Sequence, residues 1–325
     1  MTRTASAFWL NESGKGEVRQ VALAEPGPGE VEVRTLFSGV SRGTETLVLR
    51  GGVPENQHAA MRAPFQEGDF PWPVKYGYLN VGVVRNGDLS GRTVFCLYPH
   101  QTRYVVPETA VTLVPEAVPA ERAVLAGTVE TAVNAVWDAR PLVGDRIAVV
   151  GGGMVGSSIA AVLATFPGAR VELVDADPAR EEIARKLGVG FALPGNALDG
   201  CDLVFHASAT EPGLTTALNL LAPEGRVIEL SWYGDKKIAV PLGEFFHSRR
   251  LTIRSSQVGA VGRPDRTYAE RMAVALDLLA DDRFDALITG HSAFEDLPDV
   301  MPRLADGSIP ALCHRVDYGQ AHVPE

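Results

Sequence analysis

The sequence predicts an α/β protein with two domains, a β-rich first domain followed by a doubly wound parallel sheet. The chain has 325 residues, of which 46% are hydrophobic, and this is enough to build two cores. Residues 31–40 and 92–97 are rich in β-branched and aromatic side chains between Gly and Pro, which is typical of antiparallel strands. From residue 146 onward, strand patterns alternate with helix patterns, which predicts parallel strands covered by helices.

The second half of the chain carries the clearest element predictions. Arg146–Val150 is an apolar run that enters a glycine-rich turn and then a helix. The elements predicted after it are three strands and one helix, at residues 170–175, 202–207, 225–230 and 213–221. Upstream, residues 121–138 have helical spacing and residues 141–145 form a turn, so we expect the two domains to join there.

The glycine-rich turn follows the pattern G-x-G-x-x-G and predicts a dinucleotide site. Gly151 allows a sharp turn, Gly153 lets the backbone approach a pyrophosphate, and Gly156 lets the helix pack closely on the strand. The N–H groups at the start of the helix, at Met154 and Val155, are then expected to face the phosphate charge.

An acid at the end of the next strand strengthens this prediction. Asp175 lies about 20 residues beyond the last glycine, where a carboxylate accepts hydrogen bonds from the ribose of NAD and repels the extra phosphate of NADP. Arg180 follows shortly after and is suited to hold that phosphate, so NAD(H) is favoured while NADP(H) stays open. Two alternatives are a glycine turn with no ligand and an S-adenosylmethionine site.

Composition excludes several classes of partner. A formal net charge of −10 argues against nucleic acid or an anionic membrane as the main partner, because both need basic surface. The sequence contains no apolar stretch long enough to span a membrane and no signal-peptide pattern, which predicts a cytoplasmic protein. The three cysteines, Cys96, Cys201 and Cys313, are widely spaced and have apolar neighbours, so buried free thiols are expected.

Two motifs make the chain resemble the medium-chain dehydrogenase/reductase superfamily. They are the run Gly144–Gly156 and the segment Ser-Gly-Val-Ser-Arg-Gly-Thr-Glu at residues 38–45. The second is similar to bacteriochlorophyllide dehydrogenases and to bacterial proteins labelled zinc-binding alcohol dehydrogenases. The resemblance implies a GroES-like β domain at residues 1–122 and 290–325, a Rossmann domain at 123–289, and an active site in the cleft between them. It also implies a homodimer joined through an exposed edge strand at residues 250–256.

The resemblance does not extend to the zinc ligands. Zinc dehydrogenases of this fold hold the metal with a cysteine, a histidine and a second cysteine, and here those places carry Ser41, Tyr78 and, approximately, Gly127. None of these is a normal zinc ligand. No two histidines have the spacing of a helical ligand pair, so we expect no catalytic metal. The substrate must then be polarised by hydrogen-bond donors or by a positioned acid.

Candidates for that role come from segments that face the cleft in the family. Tyr78 and His100 are the candidate proton donors, and Glu45 and Glu130 are candidates to relay protons or orient the donors. Each could instead have a packing or surface role. The aromatic segment before Tyr78, which includes Phe65, Phe70, Trp72 and Tyr76, fits either a ring-containing substrate or ordinary core packing.

The resemblance also implies cofactor contacts beyond the glycine turn. Arg42 matches an arginine that binds the pyrophosphate, a task for which its planar fork is suited. Thr131 lies where the family places a threonine beside the nicotinamide. Ser208 and Tyr233 follow later strands of the Rossmann domain, at positions that line the cofactor cleft.

Together these observations predict a metal-independent NAD(P)(H)-dependent oxidoreductase. It would move a hydride between nicotinamide and a small-molecule carbonyl/alcohol or activated C=C substrate, with the cofactor carrying the chemistry. The alternative is a non-catalytic sensor or scaffold that binds the nucleotide without turnover. The sequence leaves open the substrate, the reaction direction, the choice between C=O and C=C, and the oligomeric state.

Overall fold

The computed structural model describes residues 3–319, and the chain divides into two compact units. One comprises Met1–Gly127 together with Ile288–Glu325, and the other comprises Thr128–Leu287. Residues 320–325, the end of the predicted C-terminal return, lie outside the described residues. The first unit is therefore built from two separate pieces of the chain.

The first unit is dominated by short strands. Its strands are β1 (Thr4–Glu12), β2 (Lys15–Ala22), β3 (Glu30–Ser41), β4 (Glu67–Gly68), β5 (Val74–Lys75), β6 (Asn80–Val84), β7 (Thr93–Cys96), β8 (Arg103–Pro107), β9 (Val111–Leu113), β16 (Ile288–Ala293) and β17 (Cys313–Asp317). Its helices are α1 (Arg42–Leu49), α2 (Ala120–Ala123) and α8 (Leu297–Asp306). The prediction of a β-rich first domain is confirmed.

Two sheets make up this unit. The smaller is antiparallel with the order β2-β1-β5-β4. The larger has the order β16-β17-β3-β6-β7-β9, with β8 paired to β3, and its core contains Val31, Val33, Val94 and Tyr104. β17 pairs with β3 in the antiparallel sense, so the C-terminal piece of the chain completes the sheet that carries the N-terminal site residues.

The second unit alternates strands and helices. Its elements are α3 (Ala126–Ala139, which begins in the first unit), β10 (Arg146–Val150), α4 (Met154–Leu163), β11 (Arg170–Val174), α5 (Arg180–Leu187), β12 (Gly190–Ala192), β13 (Cys201–His206), α6 (Glu211–Asn219), β14 (Leu221–Glu229), β15 (Thr252–Ser255) and α7 (Tyr268–Leu278). The predicted strands after residue 146 and the helix near residue 213 are present, with ends shifted by a few residues.

The six strands form one parallel sheet with the order β12-β11-β10-β13-β14-β15. The chain winds outward from β10 in one direction and then from β13 in the other, so the switch point lies between these two strands. In such sheets the ligand binds outside the carboxyl ends of the strands at the switch point. The residues that follow β10, β11, β13 and β14 therefore lie at the edge where such a ligand binds.

Shorter turns complete the two units. They are 3₁₀ turns at Glu55–Gln57, Glu108–Ala110, Pro194–Asn196, Asp282–Leu287 and Phe294–Asp296, and a π-helical turn at Leu242–Phe246. All three cysteines are buried and unpaired, as expected. Within residues 3–319, no helix is both long enough and apolar enough to cross a membrane.

Candidate functional site

The glycine turn between β10 and α4 has the geometry that its sequence predicts. Gly151 has a φ of 109°, and a Cβ atom there would lie 2.6 Å from the main-chain N of Ser208. A Cβ atom at Gly156 would lie 1.9 Å from the carbonyl oxygen of Gly151, so the helix approaches the turn as closely as glycine allows. By contrast, nothing lies within 4 Å of the Cβ position of Gly153. The turn is therefore closed by protein on two sides and open at Gly153.

The start of α4 is suited to an anion. Gly153 is the N-cap residue and has no side chain to accept from the first-turn N–H groups, which begin at the buried Met154 and the half-buried Val155. Free N–H groups at a helix N-terminus attract phosphate. The open position at Gly153 and these donors fit a dinucleotide pyrophosphate.

The acid predicted to hold the ribose borders this turn. Asp175 directly follows β11, and its Oδ2 accepts the N–H of Gly152 at 2.5 Å while its Oδ1 accepts the N–H of Asp177 at 2.8 Å. Arg180 lies beside it: its guanidinium is 3.4 Å from Asp177, and its side chain is 14% exposed. The carboxylate is thus fixed against the glycine turn, with the arginine at its outer side.

A second polar group lies at the ends of β13 and β14. His206 is fully buried, its Nδ1 lies 2.7 Å from Oε2 of Glu229, and its Nε2 lies 2.7 Å from Oγ of Ser208. Val150, the last residue before the glycine turn, is in register with His206. These side chains therefore border the switch point on the side opposite to Asp175.

Tyr233 closes this group around the Glu229 carboxylate. Its hydroxyl donates to Oε2 of Glu229 at 3.3 Å, and the N–H of Ser231 donates to Oε1 at 2.7 Å. Burial and the charge of Glu229 raise the pKa of Tyr233 well above its ordinary value, so the phenol remains a donor. We call His206, Ser208, Glu229 and Tyr233 the strand-end cluster.

The first unit contains a separate buried chain of polar groups centred on His100. Its Nε2 lies 2.9 Å from Oε2 of Glu45 on α1, and its Nδ1 lies 2.7 Å from Oγ of Ser38 on β3. Ser38 also lies 2.9 Å from the hydroxyl of Tyr318, which follows β17. His100, Glu45 and Ser38 are each at most 2% exposed. We call these four residues the histidine chain.

Tyr78 lies at the exposed end of this region. The N–H of Ser41 donates to Oε1 of Glu45 at 2.7 Å, and the hydroxyls of Ser41 and Thr44 interact with the phenol of Tyr78. Burial raises the pKa of Tyr78 to about 12. With this pKa, the hydroxyl remains protonated near neutral pH. Tyr78 is only half-buried, so part of the residue is open to a ligand.

Gly77, which precedes Tyr78, packs closely against the ring of His100. Gly77 has a φ of 130°, and a Cβ atom there would lie 3.0 Å from Cδ2 of His100. The aromatic segment continues this surface: Tyr76 contacts Tyr78 edge-on with ring centroids 6.0 Å apart, and Phe70 contacts Tyr76 at 5.7 Å. Because Phe70 and Tyr76 are buried, core packing accounts for both of them.

The remaining predicted residues are distributed over both units. Glu130 on α3 is buried and paired with the fully buried Arg271, whose Nε lies 3.0 Å from Oε1 of Glu130. Burial raises the pKa of Glu130 above its ordinary value, and the positive charge of Arg271 opposes part of this shift. Thr131 is half-buried on α3, and Arg42 is half-buried at the start of α1. Glu130 thus belongs to the second unit, whereas Glu45 and His100 belong to the first.

No protein-family model matches the chain. Among curated proteins, the chain is 26% identical to D-xylulose reductase A of Aspergillus oryzae (strain ATCC 42149 / RIB 40) over 233 residues, which is 66% of this chain and 62% of the relative. It is 26% identical to D-guloside 3-dehydrogenase of Shigella flexneri over 309 residues, which is 85% of this chain and 86% of the relative.

Among solved structures, L-idonate 5-dehydrogenase of Escherichia coli (str. K-12 substr. MG1655) matches 98% of this chain and 99% of its own. The TM-score is 0.79 and the sequence identity is 15%. The fold is therefore shared over the whole length, including the return of the chain to the first unit. These relatives and structural neighbours are alcohol and polyol dehydrogenases, and this is consistent with the resemblance of the chain to the medium-chain dehydrogenase/reductase superfamily. The predicted GroES-like and Rossmann domains and the oxidoreductase class are confirmed.

The places at which zinc members of this superfamily hold their metal do not fit zinc here. Ser41 and Tyr78 offer neutral hydroxyls. Gly127 offers no donor atom, and a Cβ atom there would lie 2.6 Å from Cδ2 of Leu79, whose side chain would have to move. Among residues 3–319, no group of three His, Cys, Asp or Glu side chains converges as a metal site. Zinc needs several thiolate, imidazole or carboxylate donors, and these three places supply none.

Sequence reasoning missed four residues of these two clusters. Ser38 and Tyr318 are 280 residues apart and meet only because β17 pairs with β3, which no local pattern signals. His206 and Glu229 end two neighbouring parallel strands, and side chains at such ends meet at one edge of a sheet. Their equivalent positions in the two predicted strands were a usable signal.

Proposed function

We propose that this chain is a metal-independent, NAD(H)-preferring oxidoreductase that interconverts an alcohol and a carbonyl compound. The single observation that carries the proposal is that the three zinc-ligand places hold Ser41, Tyr78 and Gly127, none of which offers zinc a thiolate, an imidazole or a carboxylate. In this proposal the protonated phenol of Tyr78, which interacts with the hydroxyls of Ser41 and Thr44, takes over the polarising role of the metal. The bound nicotinamide supplies the hydride or accepts it.

The preference for NAD(H) rests on Asp175. Its carboxylate is fixed by two main-chain N–H groups at the end of β11, where it can accept the ribose hydroxyls. A phosphate on that ribose would place two further negative charges against it. Arg180 is half-buried and paired with Asp177, so its charge is partly committed. Gly151, Gly153, Gly156 and the start of α4 would hold the pyrophosphate, with Arg42 and Thr131 as further proposed contacts.

The proton needed at the substrate oxygen is supplied by Tyr78 in this proposal. With a pKa of about 12, the phenol donates a hydrogen bond to a carbonyl oxygen and can pass its proton as the oxygen gains charge. Ser41 and Thr44 orient the hydroxyl. Glu45 and His100 hold the next proton site, since Glu45 accepts from the N–H of Ser41 and from His100. Ser38 and Tyr318 fix the other nitrogen of the imidazole.

Glu130 is proposed here as a positioning residue. Its partner Arg271 donates to the carbonyl of Val258 at 2.7 Å and to Oδ1 of Asn134, and Asn134 accepts the N–H of Gly262 at 2.8 Å. The ion pair therefore fixes the segment that follows β15, at the carboxyl edge of the nucleotide-binding sheet. A positioned segment at that edge serves the cofactor rather than the proton.

The names of the relatives support a carbohydrate or polyol substrate. A reductase of xylulose and a dehydrogenase of a guloside both act on compounds rich in hydroxyl groups, so secondary alcohols of sugars and their ketones are the substrate class to test first. The half-buried Tyr78 and exposed Phe65 offer aromatic faces, which also suit the apolar face of a sugar ring.

A homodimer through β15 belongs to the same proposal. β15 is the edge strand of the parallel sheet, and Thr252, Arg254 and Ser255 on it are exposed. An edge strand of this kind presents unpaired main-chain groups that a second copy can cover. We further propose that the enzyme works in the cytoplasm.

The test is nucleotide binding by chelator-treated protein. NADH and NADPH are titrated separately, and energy transfer from the four tryptophans to bound nicotinamide reports occupancy. Tighter binding of NADH supports the role of Asp175. Tighter binding of NADPH would indicate that Arg180, and not Asp175, determines which nucleotide is preferred. Binding of neither nucleotide would overturn the proposed function, and binding without turnover on any ketone or alcohol would favour a sensor.

A further inference from the structure

The strand-end cluster has no part in holding the adenosine half of a dinucleotide. Asp175, the proposed ribose ligand, follows β11, whereas His206 and Glu229 end β13 and β14 on the other side of β10. The side chains of the cluster are nevertheless buried or half-buried and hydrogen-bonded to one another. His206 is fully buried, the side chain of Glu229 is 13% exposed, and each oxygen of Glu229 has a hydrogen-bond partner.

The order of the strands places this cluster beside the other half of the cofactor. A dinucleotide whose adenosine ribose is bound at the end of β11 crosses the glycine turn at the end of β10 and continues over the ends of β13 and β14. The main chain of Ser208 lies directly against Gly151, so the cluster begins where the glycine turn ends. The nicotinamide half is therefore the part of the cofactor that meets it.

The two redox forms of nicotinamide differ in charge at that end. The oxidised ring carries a positive charge, and the reduced ring is neutral. Glu229 has no lysine or arginine partner among the described residues, and its ion-pair partner there is the imidazole of His206. A little-exposed carboxylate that is paired with no lysine or arginine is only weakly screened by solvent and salt. Such a carboxylate attracts the positively charged oxidised ring more strongly than the neutral reduced ring of nearly the same shape.

We propose that Glu229, held by His206, Ser231 and Tyr233, makes the protein bind oxidised nicotinamide nucleotide more tightly than the reduced form. The inference rests on the proposed function and adds the direction of the reaction to it. An enzyme with this preference captures NAD⁺ and releases NADH, which suits oxidation of an alcohol. Tyr233 and His206 act as positioning residues, because they keep the carboxylate at the strand ends.

The size of the effect follows from Coulomb's law. Removing a unit charge about 10 Å from another unit charge, at an effective dielectric constant of about 20, changes a binding constant by about tenfold. Glu229→Gln removes the charge and preserves the shape of the side chain. We expect it to weaken NAD⁺ binding about tenfold and to leave NADH binding within about twofold.

The experiment measures dissociation constants of the full chain for NAD⁺ and NADH by calorimetry, without substrate. Glu224→Gln is the matched control, because Glu224 lies on the same strand, is exposed, and pairs with Arg250 at the opposite end. Glu229→Asp keeps the charge and should retain most of the preference for NAD⁺. Tyr233→Phe keeps the charge too and tests how far the phenol positions it.

The wild-type protein alone already tests the inference, whether or not Glu229→Gln folds. The inference expects a smaller dissociation constant for NAD⁺ than for NADH. Tighter binding of NADH by the wild type would overturn it, as would an unchanged ratio of the two constants in folded Glu229→Gln. Both of these results leave the proposed function standing. Failure of the wild type to bind either nucleotide would instead overturn the proposed function and this inference with it.

Discussion

Replacing Tyr78 by phenylalanine removes one hydroxyl and tests the proposed proton donor. With a pKa of about 12, about one phenol in 10⁵ is ionised at pH 7, so the group is a donor throughout the neutral range. A positioned acid contributes a factor of about 10² to 10⁴ to a rate. We therefore expect Tyr78→Phe to lower kcat by at least about 10², which corresponds to about 3 kcal/mol in the activation free energy.

The effect on folding should be much smaller than the effect on rate. The phenol is half-buried and interacts with the hydroxyls of Ser41 and Thr44, so its loss should cost about 1 kcal/mol in the free energy of unfolding. NADH binding should not change, because Tyr78 has no proposed part in holding the nucleotide. Loss of rate with nucleotide binding intact separates a chemical role from a structural one.

The assay is single-turnover oxidation of bound NADH by a ketone, followed by absorbance. Tyr76→Phe is the matched control, since this neighbouring phenol is buried against Phe70 and Tyr78 and is given no chemical role. We expect Tyr76→Phe to retain the wild-type rate within about threefold. Equal rates for Tyr78→Phe and wild type would refute the assignment of Tyr78 as the acid, and equal losses in both variants would indicate a packing effect.

Three further predictions concern the cofactor, stability and assembly. Asp175→Asn should weaken the binding of NADH about tenfold and reduce the ratio of NADH affinity to NADPH affinity, both measured by fluorescence titration. An unchanged ratio would show that Asp175 does not select between the two nucleotides. His314 is 3% exposed, and burial lowers its pKa from 6.5 to about 4. The folded state therefore favours the neutral imidazole, and this contribution to stability is complete above pH 6.5 and is lost as the pH falls toward 4. Through this group, the free energy of unfolding in urea should be lower by roughly 3 kcal/mol at pH 4.5 than at pH 7.5, and His314→Gln should reduce that difference. Light scattering should give the mass of a dimer; a monomer at micromolar concentration would contradict the proposed role of β15.

The sequence predicted the parts of the fold that depend on neighbouring residues. The glycine turn, β10 and the acid at the end of β11 follow from a local pattern, because Gly151 and Gly156 meet main chain that would clash with a side chain, whereas the position at Gly153 is open. The predicted edge strand at residues 250–256 is present as Thr252–Ser255.

The contacts of the candidate site could be predicted only in part. His100 and Glu45 were singled out separately, yet nothing local indicated that they are hydrogen-bonded or that Ser38 and Tyr318 continue the chain. Glu130 was grouped with them as a relay, but its contact with Arg271 depends on how α7 packs against α3. Such pairings are fixed by tertiary packing, and side chains 55 to 280 residues apart leave no periodic signal.

If hydride transfer in this chain needs no metal, turnover should not depend on zinc, and removal of metal from the protein measures that dependence. The protein is treated with a strong chelator, freed of zinc as judged by elemental analysis, and assayed with NAD⁺ and a panel of sugar alcohols, with and without added zinc. We expect the same turnover from the zinc-free protein and from the protein with added zinc. Turnover that is lost on metal removal and restored by zinc would contradict it.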